Sequence, residues 1–205
     1  METNKYLNDI TEIKNIMNRS SRFISLSGLS GVLAGIYALI GAGFAYVKLK
    51  DTSAANYENF SGRSSSLWGS DTVSDLTLIA IAVLVAAVIT GFIMTLKKSK
   101  KSGEKIWDST SKRLVFNFAI PLVVGGLFCL VLMQQGNAGL VAPATLIFYG
   151  LACVNASKYT MGDVRYMGLV FIGIGLVSTQ FIGYGLYFWA LGFGVCHILY
   201  GALMY

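Results

Sequence analysis

Long apolar runs alternate with short polar connections along this chain. Six runs contain no Lys, Arg, Asp or Glu, and they cover residues 23–47, 76–96, 114–133, 140–157, 166–182 and 186–204. About 20 apolar residues form a helix long enough to cross the roughly 30 Å hydrocarbon core of a bilayer. Barrel strands would alternate apolar and polar residues, so the continuous runs favour helices. The pattern predicts an all-α fold, a polytopic bundle of six transmembrane helices.

The boundary between the last two spans carries the weakest polar signal. No charged residue occurs from Tyr166 to Tyr205. Gln180 and the run Gly183-Tyr184-Gly185 provide the polar, turn-forming residues at the right depth for a break. We therefore expect a tight hairpin at this point.

Ahead of the first span lies a polar segment of mixed charge, residues 1–22. Tyr6, Ile10, Ile13 and Met17 fall on one face of a helix. The segment is expected to form a short amphipathic helix on the cytoplasmic side, followed by a six-helix domain over 23–205. It can lie on lipid headgroups, or it can dock a cytoplasmic protein or a second copy of the chain, so both a protein partner and a homo-oligomer stay open.

Positive charge is distributed unequally between the two sides of the predicted bundle. Thirteen of the 16 Lys and Arg residues lie in the N-terminal segment and in the loops 97–113 and 158–165. Lys and Arg accumulate in cytoplasmic loops. The bias predicts a multi-pass protein of the cytoplasmic membrane with both termini inside. It also accounts for the net charge of +6 without nucleic acid, and the lipid bilayer is the expected partner.

Small residues recur at helical spacing in the first and last spans. Ser27, Gly31 and Gly35 are four residues apart, and Gly194 and Gly201 share a face of the last span. Small side chains let helix backbones approach closely in a membrane, where packing drives association. These five positions are the predicted helix-packing residues.

Few polar side chains lie inside the spans, and they set limits on the chemistry. Asn117, Asn155, His197 and Tyr200 are the candidates for a polar cavity open to the cytoplasm or, alternatively, for hydrogen bonds across helix interfaces. With one histidine and no intramembrane carboxylate, the spans cannot assemble a Ser-His site completed by Asp or a pair of Asp residues, and they do not supply a metal ligand set. We therefore predict no catalytic, cofactor or metal site, and no enzyme.

Two stretches support a resemblance. At Arg19-Ser-Ser-Arg-Phe-Ile-Ser-Leu-Ser-Gly-Leu-Ser-Gly and at Gly185-Leu-Tyr-Phe-Trp-Ala-Leu-Gly-Phe-Gly-Val-Cys-His-Ile-Leu-Tyr-Gly, the chain resembles an uncharacterised family of small six-span bacterial membrane proteins. The resemblance implies a bacterial cytoplasmic-membrane protein. Genes for proteins of this family can lie beside genes for winged-helix regulators. The resemblance therefore also implies a regulatory or envelope-sensing role.

Two function classes follow from these observations. The first is a sensing, scaffolding or regulatory membrane bundle that acts without catalysis. The second is a channel or carrier for an uncharged or lipid-like small molecule. A polar cavity lined by Asn117, Asn155 and His197 would favour the second class, whereas a solid bundle packed through glycines would favour the first.

The predicted orientation can be tested with single cysteines in a cysteine-free background. We expect an impermeant thiol reagent to label Ser66→Cys in intact cells and to spare Ser102→Cys until the membrane is opened, because residue 66 lies in an outer loop and residue 102 in the basic inner loop. The opposite labelling pattern would invert the orientation.

Overall fold

The structure is a computed structural model that describes residues 28–51, 71–102, 107–160 and 162–204. In these ranges it contains helices and no strand, as the apolar runs predict. The helices are α1 Gly28–Asp51, α2 Asp71–Ser102, α3 Ser109–Gln134, α4 Val141–Ala156, α5 Asp163–Ser178 and a last helix composed of α6 Gly185–Trp189, the π-helical segment Ala190–Cys196 and α7 His197–Leu203. Short 3-10 turns occupy Ala138–Leu140 and Ser157–Tyr159.

Five of the described helices are long and apolar enough to cross a membrane, which makes this an all-helical membrane protein. They span Gly28–Lys50, Val73–Lys101, Ser109–Gln134, Ala138–Tyr159 and Gly185–Leu203. The helix α5 has 16 residues, and at 1.5 Å per residue it is about 24 Å long. The predicted amphipathic helix over 1–22 and the packing residue Ser27 lie outside the described residues.

The second helix is longer than its apolar run. It begins at Asp71 and includes Lys100 and Lys101 in its last turn, whereas the prediction ends at residue 96. Lysines near a helix C-terminus interact favourably with the helix dipole, so they continue the helix beyond the hydrocarbon.

The next helix, α3, begins earlier than predicted because its first turn is capped. The Asp108 carboxylate accepts a hydrogen bond from the Ser111 backbone N–H at 2.7 Å. That bond stabilises the charged form and lowers the pKa of Asp108.

Two tight connections lie at the same end of the bundle. Gly136, with φ 76°, follows α3, and Gly183, with φ 99°, precedes the last helix. A side chain is strained at such φ values, so glycine suits both positions. The second connection separates α5 from the last helix, at the position where the sequence predicts a hairpin. We call this end the hairpin end and the opposite one, where Lys100, Lys112 and Arg165 lie, the basic end.

The described helices form two packed groups. The helix α4 lies between α3 and α5, and α1 packs against α2. The last helix packs along α1 and also contacts α4 and α5, so it joins the groups. Phe171, Leu146 and Ala152 are completely buried around this junction.

Backbones approach closely where α1 crosses the last helix. A Cβ built on Gly35 would lie 2.6 Å from the Gly194 carbonyl oxygen, and one on Gly201 would lie 2.5 Å from the Gly28 carbonyl oxygen. A Cβ on Gly31 would meet the Gly201 Cα at 3.4 Å, which is ordinary contact. Gly35 and Gly201 therefore have no room for a side chain, while Gly31 has room for a methyl group.

Gly35→Ala should destabilise the bundle by about 1–3 kcal/mol, because the added methyl group overlaps the backbone of the last helix. Gly43→Ala is the matched control on the same helix, since a Cβ there meets nothing within 4 Å. Thermal unfolding in detergent is the measurement. Equal melting temperatures for the two variants would show that α1 and the last helix do not cross at Gly35.

Candidate functional site

A hydrogen bond joins α4 to the last helix in the interior. Tyr149 Oη and His197 Nε2 are 2.7 Å apart, and 9% of His197 is exposed. His197 directly follows the π-helical segment. The bond therefore links two separate helices at a point from which water is largely excluded, where an electrostatic interaction is stronger than in water.

Aromatic rings surround this pair. The Phe193 ring is stacked on the His197 ring at 6.0 Å with an interplanar angle of 16°, and Phe171 meets His197 edge-on at 5.2 Å. Tyr149 also contacts Phe193 at 5.1 Å and Phe118 at 5.9 Å. The Tyr149–His197 bond is thus a directional polar contact within an apolar, aromatic environment.

Further polar atoms lie near the pair. His197 Nδ1 and Tyr200 Oη are buried and have no hydrogen-bond partner among the described residues. The backbone of Gly192 and Phe193 lies close to the imidazole, but outside hydrogen-bond geometry. The Cys153 thiol lies close enough to interact with both Tyr149 and Tyr200. Within the described residues no group of three His, Cys, Asp or Glu side chains is arranged to hold a metal ion.

The two predicted asparagines form a separate contact between α3 and α4. Asn155 Nδ2 donates to the Asn117 carbonyl oxygen at 2.8 Å, and Asn117 Nδ2 donates to the Arg113 carbonyl oxygen at 2.8 Å. The structure thus brings Asn117 and Asn155 together. His197 does not join them, because it is paired with Tyr149. None of the predicted polar-cavity residues lines the pocket described next.

A pocket of about 210 Å³ opens at the hairpin end. It is formed by α1, α2, the end of α3, the start of α4 and the start of the last helix. Its wall consists of Gly41, Ala42, Ala45, Leu49, Val73, Leu76, Thr77, Ile79, Ala80, Met133, Ala138, Gly139, Val141, Ala142, Thr145, Gly183, Gly185, Leu186 and Trp189. The lining is therefore almost entirely apolar, and nearly half of it is glycine or alanine.

The hydroxyl groups of the pocket wall are already satisfied. Thr77 Oγ1 donates to the Val73 carbonyl oxygen and Thr145 Oγ1 to the Ala142 carbonyl oxygen, both at 2.7 Å. These bonds turn the hydroxyls toward their own helices. The wall consequently offers mostly hydrocarbon surface to an occupant.

An ion pair lies next to the pocket, between the two helices of the first group. Lys48 Nζ and Asp75 Oδ2 are 2.9 Å apart, and both side chains are more than one third exposed. Their chain neighbours Leu49 and Leu76 line the pocket. The ion pair therefore holds the ends of α1 and α2 together beside the pocket.

Tyr149 and the pocket are the two features that sequence reasoning missed. A tyrosine in the middle of a span is a usable signal, since a buried hydroxyl requires a partner. The void has no such signal, because its walls are the same apolar residues that elsewhere face lipid or a neighbouring helix.

No family model, curated protein or solved structure matches this chain.

The Tyr149–His197 bond can be measured with a double-mutant cycle. His197→Leu should destabilise the bundle by about 1 kcal/mol because the Tyr149 hydroxyl loses its partner, and His197→Gln should restore part of the loss. In the Tyr149→Phe background the effect of His197→Leu should shrink by a similar amount. Unfolding in detergent provides the free energies. Additive effects would mean that the two side chains do not interact.

Proposed function

We propose that this protein is a non-enzymatic membrane bundle that binds the apolar part of a lipid-like molecule in the pocket at its hairpin end. The single observation that carries the proposal is the apolar pocket of about 210 Å³. Apolar concave sites with few polar groups are typical ligand sites. A sensing or regulatory role follows if occupancy alters the packing of the helices.

Pocket size and lining favour hydrocarbon. A dry apolar cavity of about 150 Å³ is large enough to bind benzene, so this pocket accommodates a somewhat larger group, such as a segment of an alkyl chain or a small ring. The bonds made by Thr77 and Thr145 commit both hydroxyl protons, so these hydroxyls cannot donate a hydrogen bond to a polar ligand. The rest of an amphiphilic molecule would remain outside the opening.

The proposed orientation puts the pocket in the outer half of the cytoplasmic membrane. The distribution of Lys and Arg supports both termini inside and six spans, with α5 as the shortest. In that orientation the hairpin end faces outward and the pocket draws its ligand from the outer leaflet. The resemblance to six-span bacterial membrane proteins agrees with this location.

Close packing supports binding over conduction. Toward the basic end, the approach of Gly35 to Gly194 and of Gly201 to Gly28 leaves no space for a side chain. Between α1 and the last helix, no passage therefore continues from the pocket toward the basic end. A cytoplasmic protein bound through residues 1–22, or a second copy of the chain, would receive the signal of an occupied pocket.

A carrier for a lipid-like molecule is the second candidate. The observation in its favour is that α2 packs chiefly against α1, and its buried contact with α3 is between Val73 and Met133 at the hairpin end, so most of α2 can move without disturbing α3, α4 and α5. Movement of α2 would open the pocket sideways to lipid.

Quenching of Trp189 fluorescence tests whether the pocket binds a lipid chain. Trp189 lines the pocket, and Trp68→Phe with Trp107→Phe leaves it as the remaining tryptophan of the three. A phospholipid with a dibrominated acyl chain should quench it saturably at low mole fraction. Ala138→Leu, which fills the pocket, should weaken this binding at least about tenfold, or 1.4 kcal/mol.

Ala82→Leu provides the matched control, because Ala82 is exposed on α2 outside the pocket wall. It should leave the quenching curve unchanged. Quenching that rises without saturation, equally in all three proteins, would overturn the proposal. Transfer of a labelled phospholipid across the membrane of proteoliposomes, lost in Ala138→Leu but not in Ala82→Leu, would favour the carrier over the sensor.

A further inference from the structure

Aromatic contacts connect the pocket to the buried Tyr149–His197 pair. Trp189 lines the pocket, and its ring contacts Phe193 at 5.0 Å. Phe193 in turn stacks on His197 and contacts Tyr149. Trp189, Phe193 and His197 are spaced four residues apart, so they lie along one side of the last helix.

The segment that carries these residues is not a regular α-helix. Ala190–Cys196 is π-helical, which is a rare form that occurs frequently at functional sites. It begins directly after the pocket residue Trp189 and ends directly before His197. A π-helical segment can convert to α-helix by moving one residue out of the widened turn. Such a conversion would rotate the two ends of the last helix relative to each other.

Tight packing would turn that rotation into discrete states. Gly194 lies against the Leu39 side chain, and Gly192 lies against Leu146. Packed interfaces of this kind change between alternative arrangements rather than deform continuously. An occupant that displaces Trp189 therefore acts on an element that also positions the His197 ring.

We propose that occupancy of the pocket is coupled to the geometry of the Tyr149–His197 hydrogen bond through Trp189, Phe193 and the π-helical segment. This inference rests on the proposed function and names the regulation of the same site. Coupling between two sites is reciprocal, so the ligand must alter the bond and the bond must alter the affinity for the ligand by the same factor.

His197 provides a spectroscopic probe, because it is the only histidine in the chain. Protein labelled with ¹⁵N-histidine and purified without a histidine tag gives one pair of imidazole nitrogen resonances. Their shifts report the tautomer and the hydrogen bond of the ring. Titration with the phospholipid that carries a dibrominated chain should shift both resonances with the same concentration dependence as Trp189 quenching.

Three variants separate coupling from binding. In Ala138→Leu both the quenching and the resonance shift should be largely lost at the concentration that saturates the parent protein, because binding is at least about tenfold weaker. In Phe193→Leu the quenching should persist while the resonance shift falls by at least half, because the ring between Trp189 and His197 is gone. Phe116→Leu is the control, since Phe116 is 68% exposed, and it should behave as the parent protein does.

The reciprocal measurement uses Tyr149→Phe, which removes the hydroxyl and keeps the ring. The affinity for the brominated phospholipid should change by about fivefold or more, and this test remains available if Phe193→Leu fails to fold. Saturable quenching with unmoved His197 resonances and an unchanged affinity in Tyr149→Phe would overturn the coupling and leave the proposed function standing. Absence of saturable quenching would overturn the proposed function itself. A resonance shift that persists in Ala138→Leu would also overturn the coupling, because it would not arise from the pocket.

Discussion

The close approach of the last helix to its neighbours is the constraint on which this structure depends. Lipid tails are as apolar as the helix surfaces, so helices in a membrane associate through packing contacts. The last helix has to contact two groups of helices at once. Gly194 and Gly201 let it lie against α1, and Gly192 lets it lie against Leu146 of α4. A side chain at Gly194 or Gly201 would push the last helix away from α1, and one at Gly192 would push it away from α4, which carries Tyr149, the partner of His197.

The same use of small residues accounts for the pocket. Gly41, Ala42 and Ala45 lie on α1 toward the hairpin end, and there they share the pocket wall with the small residues Ala142 and Gly185. Where the backbones of two facing helices come together, small residues leave no gap between the helices. Where the backbones remain apart, the missing side chains leave a void. Packing and pocket therefore arise from one sequence feature, and the distance between backbones decides which of them results.

The sequence determines the helices more directly than it determines the site. Segregated charge and the turn at Gly183 predict the helical fold and the break before the last helix. The extension of α2 through Lys101 is missed because lysines suit both a loop and a helix end. Asn117 and Asn155 can be placed together by depth alone. The pairing of His197 with Tyr149 depends on the rotation of two helices, and that rotation depends on a π-helical segment that contains neither proline nor a polar break.

A lipid-like occupant is difficult to detect, because hydrocarbon offers no charge or directional group for a protein to bind. The protein can sense such an occupant only through the space that the occupant fills. Trp189 is the largest side chain in the pocket wall, so it is the side chain that an occupant would displace most readily. Aromatic contacts can pass a displacement on, but they tolerate many geometries. A hydrogen bond in a low-dielectric interior tolerates few, and its loss leaves costly unpaired groups. In the proposed coupling, the Tyr149–His197 bond is therefore the contact that would separate two energetically distinct states of the bundle.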